Sequence, residues 1–263
     1  LVQIYDPLTQ EWSLGPALPE PRHHAYLVSV KEQLFLFGGF VVANGGRWSA
    51  SADVLLLDET HNKWQKVAEL PQPLTETTAV VLEGRVHLAS GRAPLGKDNA
   101  QWRDQHDVNW HWVFDPKTLT VTDATPLERA FNSAAAVVLA DQFYLLGGRQ
   151  VDGGNLAQML RFDLNTQQWQ QLAALPQAQG GLAAAVLDNK IWVFGGEYFT
   201  DKGGVYREVW VYSPETDRWQ QQGEMPVPRH GLGAVSLHNT IYVLGGAKEV
   251  GLKATSAVLE RVK

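Results

Sequence analysis

The sequence LFLFGG at residues 34–39 is an apolar and aromatic run that ends in a glycine doublet. Similar runs recur as FYLLGG at 143–148, IWVFGG at 191–196 and IYVLGG at 241–246, with a degenerate copy, VHLASG, at 86–91. The first glycine of each doublet, or Ser90 in the degenerate copy, recurs every 48 to 57 residues. A period of this size is typical of repeat architectures, so the fold is predicted from the repeat.

A second motif accompanies each doublet and consists of a turn followed by tryptophan. An Asp or Ser closes an apolar run and a Trp stands six residues further on, as in Asp6 and Trp12, Asp58 and Trp64, Asp163 and Trp169, and Ser213 and Trp219. Asp115 keeps the spacing, but Val121 takes the place of tryptophan. Because Asp and Ser side chains cap type I turns, each motif predicts a turn between two antiparallel strands.

Each repeat is therefore predicted to contain four strands, which we call a to d. Strand a is rich in small apolar residues, strand b runs into the glycine doublet, strand c leads to the turn, and strand d starts at the tryptophan. Small residues suit the crowded centre of a radial array, and tryptophan suits packing between neighbouring sheets. The pattern predicts an all-β fold with no long helix.

The doublet, the Asp turn and the Trp six residues later together resemble kelch repeats, and the resemblance covers nearly the whole chain. Kelch repeats form the blades of a β-propeller, in which four-stranded antiparallel sheets surround a central channel. The resemblance implies a single kelch-type propeller domain over residues 1–263.

The strand count predicts incomplete blades at both ends of the chain. Complete blades are expected at about 24–70, 76–127, 132–175 and 180–225, and partial ones at 1–19 and 230–263. The simplest explanation is a six-bladed parent whose N-terminal segment is absent, since closing the ring removes unpaired strand edges. The alternative is a five-bladed propeller in which residues 1–19 complete the last blade.

Composition and charge exclude several classes of protein. Apolar residues make up 44% of the chain and charged residues 19%, which predicts a folded domain with a sizeable core. The net charge of −6 argues against nucleic-acid binding. No apolar run is long enough to span a membrane, so no membrane association is predicted. The compartment stays open, and a periplasmic or secreted location is expected only if a signal peptide was removed with a missing N-terminal segment.

Strand alternation places the d-to-a and b-to-c connections on one face, which gathers the candidate binding residues. We predict that this face forms a funnel for an anionic ligand, with ligand contacts from Arg22, Arg92, Arg129, Asn132, Arg149, Tyr198 and Arg229. Arginine suits this role because its guanidinium binds carboxylates through paired hydrogen bonds. The alternative is that each Arg or His ties neighbouring blades together by bonding to loop carbonyls.

The longest b-to-c connection, residues 92–109, contains Trp102, Asp104, His106 and Asp107. A metal site could be drawn from His106, Asp107 and His111, but their spacing matches no standard signature and no metal is predicted. Trp102 is expected to cover the funnel together with Trp48 from the 43–48 loop and with Tyr198 and Phe199. The alternative is that these aromatic rings only pack the long loops.

Three functions follow from the face and from the resemblance. The first is a binding module that captures an anionic small molecule, a glycan or an acidic peptide without a cofactor. The second rests on resemblance to bacterial kelch proteins, whose broader family includes sialate mutarotases, and the proton-transfer candidates are Glu76, Glu197, His23, His24 and His230. The third, a copper radical oxidase like galactose oxidase, needs a Tyr–Cys cross-link and is excluded because the chain has 0 cysteines.

Overall fold

The computed structural model describes residues 2–42, 47–58, 60, 62–200, 202–251 and 253–263. It confirms the all-β class, because the described chain consists of antiparallel strands and a single 3-10 turn, Trp102–Asp104. No helix in this part of the chain is long and apolar enough to cross a membrane.

Six sheets follow one another along the chain, and the four central ones contain all of strands a to d. Sheet 1 has Val2–Asp6 and Glu11–Gly15. Sheet 2 has Tyr26–Val30, Gln33–Phe37, Asp53–Asp58 and Lys63–Glu69. Sheet 3 has Thr78–Leu82, Arg85–Ala89, His111–Asp115 and Thr120–Asp123. Sheet 4 has Ala135–Leu139, Gln142–Leu146, Met159–Asp163 and Gln168–Gln171. Sheet 5 has Gly180–Leu187, Lys190–Tyr198, Glu208–Ser213 and Arg218–Glu224, and Gly204–Val205 pairs with its second strand. Sheet 6 has Gly233–Leu237, Thr240–Leu244 and Leu259–Val262.

Short strands form smaller ladders at one rim of the sheets. They are Arg22–His23 with Phe40–Val42 and Trp48–Ala50, Arg92–Pro94 with Gln105–Asp107, and Arg149–Gln150 with Gly154–Asn155. Within the described residues, parts of the b-to-c connections are thus paired as short strands.

The sheets are arranged around a centre. In sheets 2 to 6, the strands a of successive sheets pack against one another. A layer of buried apolar side chains lies between each pair of neighbouring sheets. Sheet 1 contacts both ends of this series, since the rings of Tyr5 and Tyr242 lie 6.0 Å apart and the Trp64 indole donates to the carbonyl of Pro16 at 3.1 Å. Sheets 1 and 6 are the incomplete ones, and the blade number of a parent propeller stays a prediction.

Three of the four motif tryptophans pack between sheets as predicted and form a hydrogen bond there, whereas Trp12 on sheet 1 is 47% exposed. The indoles of Trp64, Trp169 and Trp219 each donate to a carbonyl just after strand d of the preceding sheet, at 2.9 to 3.1 Å. The predicted Asp turns are present as well, because Asp6, Asp115 and Asp163 each accept a backbone N–H two residues on.

The glycine doublets join neighbouring sheets through the backbone. The N–H of Gly39, Gly91, Gly148 and Gly196 each donates to a carbonyl that enters strand a of the next sheet, at 2.8 to 3.0 Å. The preceding residue has positive φ in every copy, 63° at Gly195 for example, and a β-carbon there would lie 2.1 Å from the Arg229 carbonyl oxygen. In sheets 2, 4 and 5 the first glycine of the doublet therefore allows the close approach of two backbones, while Ser90 takes the same positive φ in sheet 3.

Sheets 3 and 4 enclose a pair of buried histidines. His87 and His111 are 4% and 1% exposed, and His87 Nδ1 lies 3.0 Å from His111 Nε2. The rings of Phe143, Phe162 and Trp169 surround the pair. Burial lowers the pKa of His87 to about 4 and that of His111 to about 3, so both rings are neutral near pH 7.

We expect Gly195→Ala to destabilise the fold far more than Gly245→Ala. Both glycines have positive φ, 63° and 68°, but a β-carbon at Gly245 meets no atom within 4 Å. Both variants carry the left-handed strain of about 1–2 kcal/mol, and Gly195→Ala adds a steric overlap of about 1–3 kcal/mol. Urea unfolding of the two variants measures the difference, and equal losses would refute the role assigned to the doublet.

We expect the histidine pair to weaken the fold in acid. The unfolded chain takes up protons on these rings as the pH falls below 6.5, whereas folded His87 stays neutral to about pH 4. Stability is therefore lost between these values, by about 3 kcal/mol from His87. Replacing both histidines with the residues at the same places of sheet 2, as His87→Phe with His111→Val, should flatten the pH dependence of urea unfolding. The exposed His238→Gln is the control, and an unchanged slope in the double variant would contradict the prediction.

Candidate functional site

The connections predicted to share a face do so, and they enclose a cavity. The residues that enter strand a pair with those that follow the glycine doublet, as Thr75 does with Arg92 and Asn132 with Arg149. The cavity has a volume of about 1120 Å³ and is lined by residues from sheets 2 to 6 and their rim connections. We call this cavity the funnel; its lining includes His24, Glu76, Arg92, Asn132, Arg149, Glu197 and His230.

A belt of backbone hydrogen bonds holds the inner rim of the funnel in shape. The N–H of Glu76 donates to His24 O, Ser133 to Glu76, Gly181 to Ser133 and Gly231 to Gly181, at 2.8 to 3.2 Å. All five residues have positive φ, which for Glu76 and Ser133 is a conformation that a side chain rarely adopts. The belt therefore fixes these residues at the same depth in successive sheets.

Side chains of alternating charge follow the same rim. Arg92 lies 3.5 Å from Glu76 and Arg149 lies 3.3 Å from the same carboxylate. Arg149 also pairs with Glu197, which in turn lies 3.4 Å from His230 Nδ1. The two carboxylates are 0% and 3% exposed, so they serve mainly to pair the arginines. The lower funnel is thus close to neutral rather than strongly cationic.

Arg149 is the centre of this chain of charges. Its Nε donates to Asn132 Oδ1 at 3.2 Å, while its terminal nitrogens donate to Glu197 and to Glu76. The guanidinium lies 5.9 Å from the ring of Phe199, which is 57% exposed. Asn132 is itself held by Asp107, so the guanidinium plane is fixed by contacts on several sides.

The histidines of the face differ in position. His24 lines the funnel, and desolvation by the surrounding protein lowers the pKa of its ring. His23 packs against Phe40 and Trp48 behind the lining, and burial together with the neighbouring His24 lowers its pKa to about 4. His230 lines the funnel and its Nε2 contacts the carbonyl of Glu249 at 2.9 Å.

Several predicted ligand contacts lie elsewhere, for physical reasons. Arg22 and Arg229 have side chains that are 2% and 0% exposed and bond to the Gly38 and Val227 carbonyls and to Asp53 and Glu260. These bonds lie within the repeat to which each arginine belongs, so the two side chains brace their own sheets and do not link neighbouring blades. Arg129 is exposed beside a separate cavity of about 240 Å³. Tyr198 packs on Tyr206, with ring centroids 5.0 Å apart, and does not line the funnel.

The long loop of sheet 3 forms part of the funnel wall. Trp102 and Trp48 both line the funnel, with ring centroids 6.0 Å apart. Asn99 anchors the loop to sheet 2, since its side chain accepts from Ala50 N at 2.7 Å and donates to Ala50 O at 2.9 Å. Residues 43–46, which precede Trp48, lie outside the described residues. The sequence interpretation did not identify Val151 and Asp152, which line the rim a few residues beyond the glycine doublet of sheet 4.

The loop residues considered for a metal lie in different environments. His111 is buried beside His87, Asp107 bonds to Asn132 and to Val151 N, and His106 is exposed. Within the described residues no three His, Asp or Glu side chains are placed to hold a metal ion together.

Comparison with known proteins gives consistent matches. The family model "KLHDC2/KLHL20/DRC7 Kelch-repeats domain" matches residues 96–258. The chain is similar to "Kelch-like protein terF" of Aspergillus terreus, with 26% identity over 75% of this chain and 43% of that protein. It is similar to "Kelch-like protein 35" of Mus musculus, with 28% identity over 73% of this chain and 30% of that protein. The chain thus spans less than half the length of these two relatives.

A solved structure supports the same fold. "Structure of YjhT" superposes with a TM-score of 0.82 and 18% identity, over 95% of this chain and 84% of that chain. At this level of identity the likeness concerns the fold, and it confirms the predicted propeller architecture.

Proposed function

Because the chain belongs to the kelch-repeat family, we propose that it is a binding module that captures a peptide of a partner protein in the funnel and contacts an anionic group of that peptide through Arg149. Kelch propellers commonly act as protein-binding modules. The anionic contact goes beyond that general role and rests on the geometry of this funnel.

The accessibility of Arg149 is the observation that carries the proposal. Its side chain is 18% exposed, whereas the side chains of Arg22, Arg92 and Arg229 are 2%, 2% and 0% exposed. Arg149 is therefore the arginine of this set that a ligand can reach. Its fixed guanidinium presents a planar donor, and such a donor binds a carboxylate through paired hydrogen bonds.

The rim of the funnel supports a peptide of a protein as the ligand. Phe199, Val151 and Trp102 are 57%, 48% and 36% exposed there. Exposed apolar side chains around a concave site are typical of protein interaction surfaces, where aromatic residues contribute most of the binding energy. A free anionic sugar or another small anion would leave much of a cavity of about 1120 Å³ unfilled.

A sugar mutarotase is the alternative function, and the position of His24 favours it. The ring lines the funnel, and its lowered pKa keeps it neutral and able to accept a proton near pH 7. Against it, the carboxylates of Glu76 and Glu197 are 0% and 3% exposed and are already paired with arginines. If this function holds, NMR exchange between the anomers of N-acetylneuraminate will accelerate with the protein present and will slow in His24→Ala; no acceleration above buffer eliminates it.

We expect Arg149→Ala to weaken binding of fluorescein-labelled nonapeptides of Asp, Glu and Gly at least tenfold, because it removes charge-assisted hydrogen bonds worth about 1.5–3 kcal/mol. Fluorescence polarisation at low and moderate salt measures the dissociation constants. Arg129→Ala is the matched control, since it removes an exposed arginine away from the funnel. Arg149→Lys keeps the charge and should recover part of the affinity. Equal affinity of wild type and Arg149→Ala, with both proteins folded by circular dichroism, would refute the proposal.

A further inference from the structure

On the basis of the proposed function, we propose that the funnel also binds an aromatic side chain of the peptide, close to the acidic group. The binding surface is a corner formed by Trp48 and Trp102. The ligand class is thereby narrowed to peptides that combine a carboxylate with a nearby aromatic ring.

The corner is a built feature of the funnel wall. The two indole planes meet at 68°, and the His24 ring approaches Trp102 at 71° with centroids 5.9 Å apart. Behind these rings lies the buried ring of Phe40, 5.4 Å from Trp102 and 6.0 Å from Trp48. The corner is therefore an aromatic surface whose outer side lines the funnel, which suits a further ring in an edge-to-face contact. Both indoles line the same cavity as Arg149.

Trp102 is also held in place by neighbouring groups before any ligand binds. The Arg92 guanidinium lies 4.2 Å from the Trp102 ring centroid and donates to the carbonyls of Trp102 and Gln105 at 3.1 and 2.9 Å. Gln105 in turn donates to Asn99, the residue that anchors the loop to sheet 2. A fixed aromatic surface binds with little loss of side-chain entropy, so contact with it favours a specific ligand.

One chain of contacts connects the corner to the anion contact. Arg92 stacks on Trp102 and pairs with Glu76, and Glu76 pairs with Arg149. The two recognition elements are therefore held at a fixed separation by one buried carboxylate. A ligand that engages both must carry its ring and its carboxylate a few residues apart at most.

The polar groups of the funnel favour an aromatic ring over a sugar ring at this corner. A sugar needs many accessible hydrogen-bonding partners beside the aromatic surface. Here Glu76, Glu197 and Asn132, counted as whole residues, are 5%, 2% and 1% exposed, and their side chains already bond to protein groups. An apolar ring requires none of these partners, so the corner fits it better.

The test compares four fluorescein-labelled nonapeptides of Gly and Ser. Each contains Asp or Asn at one position and Trp or Ala two residues later, and each is named by these two residues, as in the Asp/Trp peptide. In fluorescence polarisation, the Asp/Trp peptide should bind wild type about tenfold more tightly than the Asp/Ala peptide. Trp102→Ala should bring these two peptides to the same affinity, and Trp48→Leu should reduce the difference. Trp12→Ala, which changes a 47% exposed tryptophan on sheet 1 outside the funnel, should preserve the difference.

Each other outcome overturns one of the two proposals. Equal binding of the Asp/Trp and Asp/Ala peptides by wild type, or a preference for tryptophan that survives in Trp102→Ala, rejects the aromatic corner but leaves the Arg149 contact. Failure of every peptide to bind rejects the proposed function as well. Binding of neutral chitohexaose that depends on Trp102, without peptide binding, would assign the corner to a glycan instead.

Discussion

The structure depends on backbone hydrogen bonds between neighbouring sheets at the inner rim. Within each sheet the strands are joined by ladders, but successive sheets meet mainly through apolar side chains, which set no precise depth for one sheet against the next. The N–H groups of the glycine doublets and the belt that includes His24, Glu76 and Ser133 supply that precision. Because a hydrogen bond tolerates only a small range of distance and angle, these contacts place the rim residues of five sheets at one level.

The belt explains how distant residues form one site. Glu76 and Ser133 accept a left-handed backbone because their N–H groups bond to the preceding sheet, and this conformation directs their side chains to each other. Glu76 precedes strand a of sheet 3, and Arg149 and Glu197 follow the glycine doublets of sheets 4 and 5. Because the belt aligns these sheets, the Arg149 side chain reaches both carboxylates. The same backbone constraint that closes the framework therefore assembles the funnel chemistry.

Most charged side chains of the funnel pair with other protein groups, and few are left to contact a ligand. A buried charge is costly unless it is paired, so most of the arginines at this face bond to carboxylates and carbonyls. The side chains of Arg92, Glu76, Arg149 and Glu197 alternate in sign, and their charges cancel. What remains for a ligand is the accessible part of Arg149, together with the aromatic and apolar rim. Recognition in this funnel therefore depends on shape and apolar contact as much as on charge.

The sequence by itself determined the repeat, the strand order, the position of the turns and the side of the sheets on which the candidate residues lie. It could do so because the glycine doublets, the Asp turns and the tryptophans express local requirements, namely positive φ, a side-chain cap and inter-sheet packing. It also narrowed the site to one face, since strand alternation fixes where each connection emerges.

Only the tertiary structure decided which residues of that face a ligand can reach. Arg92 and Arg149 occupy the same position in the repeat pattern, directly after the glycine doublet or its degenerate copy, yet the side chain of Arg92 is 2% exposed and that of Arg149 is 18% exposed. Burial and pairing depend on contacts between residues as far apart as Arg149 and Glu76, and spacing along one chain does not encode these contacts. Two further contacts arise in the same way, the bonds of Asn99 to Ala50 and the contact of Trp48 with Trp102. Both join loops of different sheets, which the arrangement of the sheets around a centre brings together.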